Sequence, residues 1–375
     1  MRLRGCGTAL VTPFHQDGSI DEPAIRNLVA WQIESGIDFL VPCGTTGETP
    51  TLSHHEWLRV IDLTIEVAAG RVPIVAGATS NSTHDAVAKA QELSSRPGVD
   101  AILTASPYYN KPTQEGQFQH FKAIAEAVNK PVILYNVPGR TAANIEPVTI
   151  GRLAEVPNIA GVKEASGNLT QIAEICNTAS PEFSVLSGDD VMTLPLIALG
   201  GTGVISVASN EIPHEMAEMT RAALNNDWGT ARQIFRKYLP LMQANFIESS
   251  PMPVKAVLAM MGRIQETYRL PMVPVRRDTR SKLQRIAADA GLIAKAAAAT
   301  AEAAGFFVYE NWAAGPHKAV LHRSTCGQCN SGKARPAGHS PNHAQWHGPY
   351  HTLAEARHIT QTLPRVLIRS ECKCI

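Results

Sequence analysis

Ile159-Ala160-Gly161-Val162-Lys163-Glu164-Ala165-Ser166 sets one lysine in the middle of a short apolar strand. Side chains alternate along a strand, so Gly161, Lys163 and Ala165 are expected on one face and Val162 and Glu164 on the other. Lys163 then has only small neighbours on its own face. An amine in such a place loses hydration and its pKa falls. The neutral form is a nucleophile that can build a Schiff base with a carbonyl. A lysine in a strand more often packs its stem and snorkels its head to water, so the rest of the chain decides which of the two this is.

Outward from this strand the chain alternates short β-rich runs with longer amphipathic ones. Strands are expected at 7–12, 39–43, 73–78, 101–105, 132–136, 159–164, 184–187 and 203–207, with helices between them at 22–34, 53–69, 83–94, 114–128 and 169–179. Ser53 has Glu56 three residues on, the spacing of a capping box. Strict alternation over roughly 210 residues implies a parallel sheet, and eight such units close into a (β/α)8 TIM barrel. A doubly wound open sheet would carry a glycine-rich turn after its first strand, and Val11-Thr12-Pro13-Phe14 is not one. Helical stretches at 215–225, 228–245, 254–262 and 280–290 exceed the single helix that the last barrel unit needs. The expected plan is therefore a barrel over residues 1–225 and a C-terminal helical subdomain over 226–293. An alanine-rich linker, expected to be helical, follows over 294–305, and a small Cys/His-rich α+β module over 306–375.

Composition agrees with a large buried core: 375 residues, 44% hydrophobic and 18% charged. The net charge of +1 gives no reason to expect a nucleic acid or an acidic membrane as partner of the whole. That average hides a split. Residues 306–375 hold eight Lys and Arg against three acids, a charge of +5, which leaves −4 on the rest; they also hold seven of the 13 histidines and four of the seven cysteines. No apolar run approaches the roughly 18 residues of a membrane span, and Met1-Arg2-Leu3-Arg4-Gly5-Cys6 lacks the apolar core of a signal peptide. The expected location is the cytoplasm, with Cys6, Cys43 and Cys176 as reduced thiols.

In barrels of this kind the chemistry sits at the C-terminal ends of the strands and in the loops that follow. After the second strand comes Gly44-Thr45-Thr46-Gly47-Glu48, where glycines admit a ligand to the backbone and two hydroxyls can hold a carboxylate. After the fourth comes Ser106-Pro107-Tyr108-Tyr109-Asn110-Lys111-Pro112. The fifth ends in Tyr135-Asn136-Val137-Pro138-Gly139-Arg140-Thr141, a phenol followed by a guanidinium. The seventh gives Leu186-Ser187-Gly188-Asp189-Asp190 and the eighth Gly200-Gly201-Thr202-Gly203-Val204-Ile205-Ser206. Each motif alone reads as a cap, as packing or as a surface charge. At matching strand ends they compose a carbonyl-handling site: a nucleophilic amine, phenols for proton transfer, a carboxylate clamp and an arginine fork. None of them supplies a His and carboxylate cluster for a metal.

In order and spacing, Gly44 to Glu48, Tyr108-Tyr109-Asn110, Tyr135 to Thr141 and Gly161-Val162-Lys163-Glu164-Ala165 resemble the dihydrodipicolinate synthase family of Schiff-base lyases, which includes N-acetylneuraminate lyase. The resemblance covers about four fifths of the chain, up to Leu292. It implies condensation of pyruvate with L-aspartate 4-semialdehyde, without catalytic cofactor, to give 4-hydroxy-tetrahydrodipicolinate in lysine and diaminopimelate biosynthesis. It further implies that Lys163 forms the imine and that Tyr135 moves protons, linked through Thr46 or Thr45 to a Tyr109 reaching in from a neighbouring subunit. Thr45 and Thr46 would bind the pyruvate carboxylate, Arg140 would hold the carboxylate of the semialdehyde, and Gly188 and Ile205 would lie around the pyruvate pocket. A homotetramer, a dimer of dimers, is implied as well. An inhibitory lysine site of some relatives maps onto Thr49, Pro50, His54, Asn81, Asp85 and Tyr108. Here Trp57 stands where lysine-sensitive relatives often carry histidine, and Asp85 where glutamate is usual.

Residues 306–375 depart from the family. Phe307-Val308-Tyr309-Glu310-Asn311-Trp312 and His317-Lys318-Ala319-Val320-Leu321-His322 read as two short strands, followed by a Cys-rich turn, a helix at 353–361 and a last strand at 365–369. Cys326, Cys329, Cys372 and Cys374, in C-x-x-C and C-x-C spacing, suit a structural zinc site. Two alternatives to the synthase stand beside it: another Schiff-base 2-keto acid aldolase acting on a sugar acid or hydroxy-oxoglutarate, and a barrel that merely carries a metal-binding interaction module. The double threonine and Arg140 favour the synthase over the first. Deletion of residues 306–375 separates it from the second.

Overall fold

Strands flanked by helices on one side and by one another's side chains on the other must be apolar on both faces, and here nearly all of their residues are buried. A computed structural model of the chain describes residues 1–294, 306–311, 318–323, 344–350, 352–363, 366 and 368–371. The chain divides into two units, Met1–Ile293 and Ala294–Ile375.

In the first unit the order is β1 (Gly5–Ala9), α1 (Glu22–Glu34), β2 (Phe39–Val41), α2 (His54–Ala68), β3 (Val75–Gly77), α3 (Thr83–Ser95), β4 (Ala101–Ala105), α4 (Gln114–Glu126), β5 (Val132–Asn136), α5 (Pro138–Thr141), α6 (Pro147–Ala154), β6 (Ile159–Glu164), α7 (Leu169–Thr178), β7 (Ser184–Ser187), α8 (Thr193–Ala198) and β8 (Gly203–Ser206). Four more helices follow: α9 (Pro213–Leu224), α10 (Trp228–Ala244), α11 (Met252–Met260) and α12 (Arg277–Asp289). The eight strands run parallel in the order β2-β1-β8-β7-β6-β5-β4-β3. A parallel bridge between Leu40 and Ile74 closes the ring, with Leu40 N–H donating to the Pro73 carbonyl at 2.9 Å and Gly77 N–H to that of Pro42 at 3.1 Å. This is the (β/α)8 barrel expected from the alternation.

Inside the barrel, Ala9, Phe39, Val41, Val75, Leu103, Ile133, Tyr135, Leu186 and Ile205 pack together; Val132, Leu134, Val162, Val185 and Val204 face the helices. The first strand ends earlier than its apolar run suggested. Beyond Leu10 the chain is held by side chains instead of a ladder: Val11 N–H donates to Asn210 Oδ1 at 3.1 Å and the Thr12 hydroxyl to the Gly47 carbonyl at 2.7 Å. The short helices α6 and α8 had no strong sequence signal. Each is eight residues or fewer, and a proline lies within the first three positions of both. At α2 both halves of the Ser53–Glu56 capping box are present.

The second unit has β9 (Phe306–Asn311), β10 (Lys318–Arg323), β11 (Ala344–Tyr350), α13 (Leu353–Thr362) and β12 (Ile368–Glu371). Its sheet order is β11-β9-β10-β12, with β10 and β12 parallel and the other pairs antiparallel. Val308, Ala319, Leu321, Ala356 and Val366 form a small core. β11 was not expected. Gly348 and Pro349 interrupt its pattern, and the register shifts between His347 and Tyr350 where Gly348 takes φ +114°. The last strand lies at Ile368–Glu371, later than the 365–369 expected. Cys326, Cys329, Cys372 and Cys374, proposed from sequence as zinc ligands, lie outside the described residues, as do linker residues 295–305. Among the described residues no group of three or more His, Cys, Asp or Glu could hold a metal ion, and no helix is long and apolar enough to cross a membrane.

Candidate active site

Strand register brings the amine and the phenol together. Tyr135 of β5 pairs with Lys163 of β6, which pairs with Leu186 of β7, so the side chains of Tyr135 and Lys163 point into the barrel at one level. The small residues around Lys163 are small for a reason. A Cβ on Gly161 would stand 2.4 Å from the Ser184 carbonyl oxygen, and one on Gly188 would stand 3.0 Å from Lys163 Cε and 2.8 Å from Ala165 Cβ. Lys163 is 5% exposed, and its Nζ lies 4.2 Å from the centre of the Tyr135 ring. Burial pushes its pKa down to about 7; the charge of nearby Asp190 opposes this and that of Arg140 adds to it. Asp190, almost wholly buried, accepts from Val207 N–H at 3.2 Å and Ala208 N–H at 2.9 Å, and burial pushes its carboxyl up to about 6.

The Tyr135 phenol is 7% exposed, and burial raises its pKa; the Thr45 hydroxyl, as a hydrogen-bond neighbour, works the other way. Of the two adjacent threonines it is thus Thr45 that bears on the phenol. Thr46 is buried and Thr45 exposed. Both sit on a 3-10 turn, Thr45–Gly47, that ends at Glu48 in the left-handed region at φ +52°. Tyr109 is absent from the lining of the cleft described below. It projects from the β4–α4 loop at φ +75° with its side chain 88% exposed.

Arg140 stands on the one-turn helix α5. That turn is fixed from behind: Asn136 Nδ2 donates to Glu164 Oε2 and to Asn144 Oδ1, both at 2.9 Å, and its Oδ1 accepts from Ile145 N–H at 2.9 Å. Arg140 Nη2 donates to the Ser250 carbonyl at 3.3 Å. Together with Tyr135, Ala165, Gly188, Asp189, Glu248, Ser250 and Arg276 it lines an open cleft of about 710 Å³. Ile205, wholly buried in β8, is part of the barrel interior beneath.

The six positions matched to a lysine site lie in the turns after β2, β3 and β4 and in the first turns of α2 (His54) and α3 (Asp85). Asn81 Nδ2 donates to the Tyr108 carbonyl at 3.3 Å, and Tyr108 is 42% exposed. The Thr49 hydroxyl donates back to the Gly44 carbonyl at 2.8 Å, next to exposed Pro50. His54 pairs with Glu92 at 3.3 Å, and Asp85 lies 3.2 Å from the His84 ring. Trp57 is buried, with its Nε1 donating to the Gly77 carbonyl at 3.0 Å.

Sequence reading overlooked two groups. One is the cleft wall formed by Glu248, Ser250 and Arg276, which comes from the segment leading into α11 and the start of α12. The other is a buried ion pair, Lys255 Nζ to Glu48 Oε1 at 2.5 Å, that clamps the end of the threonine turn. A lysine on the apolar helix Met252–Met260 was the available signal for it.

Comparison with known proteins agrees with this geometry. A 4-hydroxy-tetrahydrodipicolinate synthase from Koribacter versatilis strain Ellin345 is 70% identical over 299 residues, which is 80% of this chain and 100% of that protein. One from Acidobacterium capsulatum is 63% identical over 78% of this chain and 97% of its own length. Among solved structures, the chloride-inhibited dihydrodipicolinate synthase of Acinetobacter baumannii in complex with pyruvate is 43% identical and superposes with a TM-score of 0.75, over 77% of this chain and 99% of that one. The family model for the dihydrodipicolinate synthetase family matches residues 2–290, and the chain belongs to that family.

Proposed function

We propose that the protein condenses pyruvate with L-aspartate 4-semialdehyde through a Schiff base on Lys163, giving 4-hydroxy-tetrahydrodipicolinate for lysine and diaminopimelate biosynthesis. The observation that carries this is the buried Lys163 amine, which makes no ion pair among the described residues and lies 4.2 Å from the Tyr135 ring. It does so in a chain 70% identical to such a synthase. The neutral amine adds to the ketone carbon of pyruvate, and loss of water leaves an iminium. That electron sink lets the methyl group release a proton near neutral pH, and Tyr135, with Thr45 beside it, is placed to move protons. The resulting enamine attacks the aldehyde carbon, whose oxygen takes up a proton to become the hydroxyl, while Arg140 holds the carboxylate of the incoming semialdehyde. The amine of the semialdehyde, after losing a proton, then adds to the iminium carbon and displaces Lys163, which closes the ring and frees the lysine. A coupled assay with both substrates tests the overall reaction, and mass spectrometry after pyruvate and borohydride tests the adduct; trapping at any residue other than Lys163 would remove the basis of the proposal.

The pKa of about 7 sets an expected pH profile. The neutral amine is the nucleophile, and its fraction falls as pH drops below that value. The rate of imine formation with pyruvate alone should therefore fall about tenfold per pH unit below roughly 7 and level off above it. Stopped-time borohydride trapping measures this, and a rate still rising steeply above about pH 9 would mean a lysine of ordinary basicity.

Arg140→Ala should lower kcat/KM for the semialdehyde by about 10- to 100-fold, the worth of a charge-assisted contact. Imine formation should change little. Equal loss in both steps would make Arg140 structural.

In the same proposal the enzyme is a homotetramer of tight dimers, and Tyr109 joins the proton relay of a neighbouring copy. Its exposed side chain on a left-handed backbone position supports this. Mass measurement in solution tests the assembly: a monomer that turns over at full rate would exclude a borrowed tyrosine.

A further inference from the structure

The cleft that holds Arg140 carries more charge than a carboxylate clamp requires: Arg140 and Arg276 are joined on its lining by Asp189 and Glu248. The second substrate of the proposed reaction carries both a carboxylate and an ammonium on one carbon, so a cation and an anion close together are what would recognise it. Arg140 is already seated against the Ser250 carbonyl at 3.3 Å. A carboxylate in its fork therefore lies beside the strip of chain from Glu248 to Ser250, which is within reach of an ammonium one carbon away.

The two acids differ in what they are doing. Asp189 caps the turn that follows β7, its Oδ1 accepting from Val191 N–H at 3.0 Å. It also adjoins Gly188, on the side of the cleft where Lys163 packs. Glu248 uses a single oxygen: Oε1 accepts from Arg276 N–H at 3.1 Å and lies 3.7 Å from Arg276 Nε. Among the described residues no donor is bound to Oε2. Its side chain is 11% exposed, against 84% for that of Arg276. The carboxylate is thus partly withdrawn from water and oriented by a backbone N–H, which strengthens any charge-assisted contact it makes.

We propose that Glu248 is a specificity residue that binds the α-ammonium of the semialdehyde while Arg140 binds its carboxylate. This rests on the synthase reading above. The test compares two aldehydes on the full-length protein, aspartate 4-semialdehyde and succinic semialdehyde, which keeps the aldehyde and carboxylate but has no ammonium. Because only the amino aldehyde can displace Lys163 and release product, aldehyde loss is followed in single turnovers with pyruvate-loaded enzyme in excess, for the parent, Glu248→Gln and Asp189→Asn. Glu248→Gln should lower the second-order rate constant of that single turnover for the amino aldehyde by about 10- to 100-fold and leave that for succinic semialdehyde within about twofold. A structural role would lower both together and leave their ratio unmoved, which overturns the assignment, as would a selective loss in Asp189→Asn instead. If Glu248→Gln does not fold, Glu248→Asp keeps the charge, withdraws it by one methylene and must lower the same ratio. A parent enzyme that consumes neither aldehyde overturns both the assignment and the synthase reading, whereas an active parent with an unmoved ratio overturns the assignment alone.

Discussion

Lys163→Ala is expected to abolish turnover, a loss on the order of 10⁴-fold or more as when other enzymes lose a covalent nucleophile, and to leave no pyruvate adduct after borohydride. The same unit has a second buried lysine, on α11, and comparing the two shows why only one can serve. Lys255 is wholly buried, yet its Nζ donates to Glu48 Oε1 at 2.5 Å and to the Thr12 carbonyl at 3.1 Å, with the rings of Phe14 and Tyr268 over it. Burial draws the pKa of this lysine down as well, but Glu48 opposes that with its charge and a direct hydrogen bond, so attack on a carbonyl would have to break a buried ion pair. Lys163 has an aromatic face at 4.2 Å and the more distant field of Asp190 in place of an ion pair, so the neutral form is within reach near pH 7. The alanine variant should fold, because it removes a costly buried ammonium and not half of a pair. A folded Lys163→Ala protein that still forms an adduct, at Lys255 or elsewhere, would end the assignment.

Most of the barrel could be read from the chain because its strands and helices carry the short-range signals that specify them. β4, β5, β6 and β7 begin and end where apolar runs meet turns, and α2 starts at its capping box. The inward face of β6 followed from alternation alone, and Tyr135 and Lys163 were readable as a pair once each was placed at a strand end. What escaped were relations between segments far apart in sequence. Glu248, Ser250 and Arg276 face Arg140 only because the chain beyond the eighth strand folds back over the cleft, and no local pattern announces that. The choice between Thr45 and Thr46 stayed open for a different reason. Adjacent residues on a 3-10 turn point in different directions by an angle that the sequence does not state, and of the two it is Thr45 that bears on the phenol's pKa. In the second unit the extra strand was hidden by Gly348-Pro349, residues that oppose strand structure everywhere except at a bulge.

The Glu48–Lys255 pair gives the second large expected effect. Glu48 ends the threonine turn in a left-handed conformation that costs a non-glycine residue on the order of 1 kcal/mol or more, and such conformations persist when their surroundings over-determine them. Those surroundings come from the C-terminal end of the unit. Lys255 of α11 reaches Glu48, and Arg269 donates to the Gly18 carbonyl at 2.7 Å and the Thr51 carbonyl at 2.9 Å and pairs with Glu56 at 2.5 Å, which draws the Glu56 carboxyl down to about 2. Lys255→Met would leave Glu48 buried and unmatched, and should cost about 3–5 kcal/mol of stability in denaturant unfolding. Adding Glu48→Gln removes the orphaned charge and should restore most of that loss, since the cost lies in the unpaired ion and not in the absence of the bridge. The restored double variant should still turn over more slowly than the parent, because the strut that fixes the Thr45–Gly47 turn against Tyr135 is gone. Should Lys255→Met unfold within about 0.5 kcal/mol of the parent, the range of an ordinary surface change, the pair would not be what holds the turn.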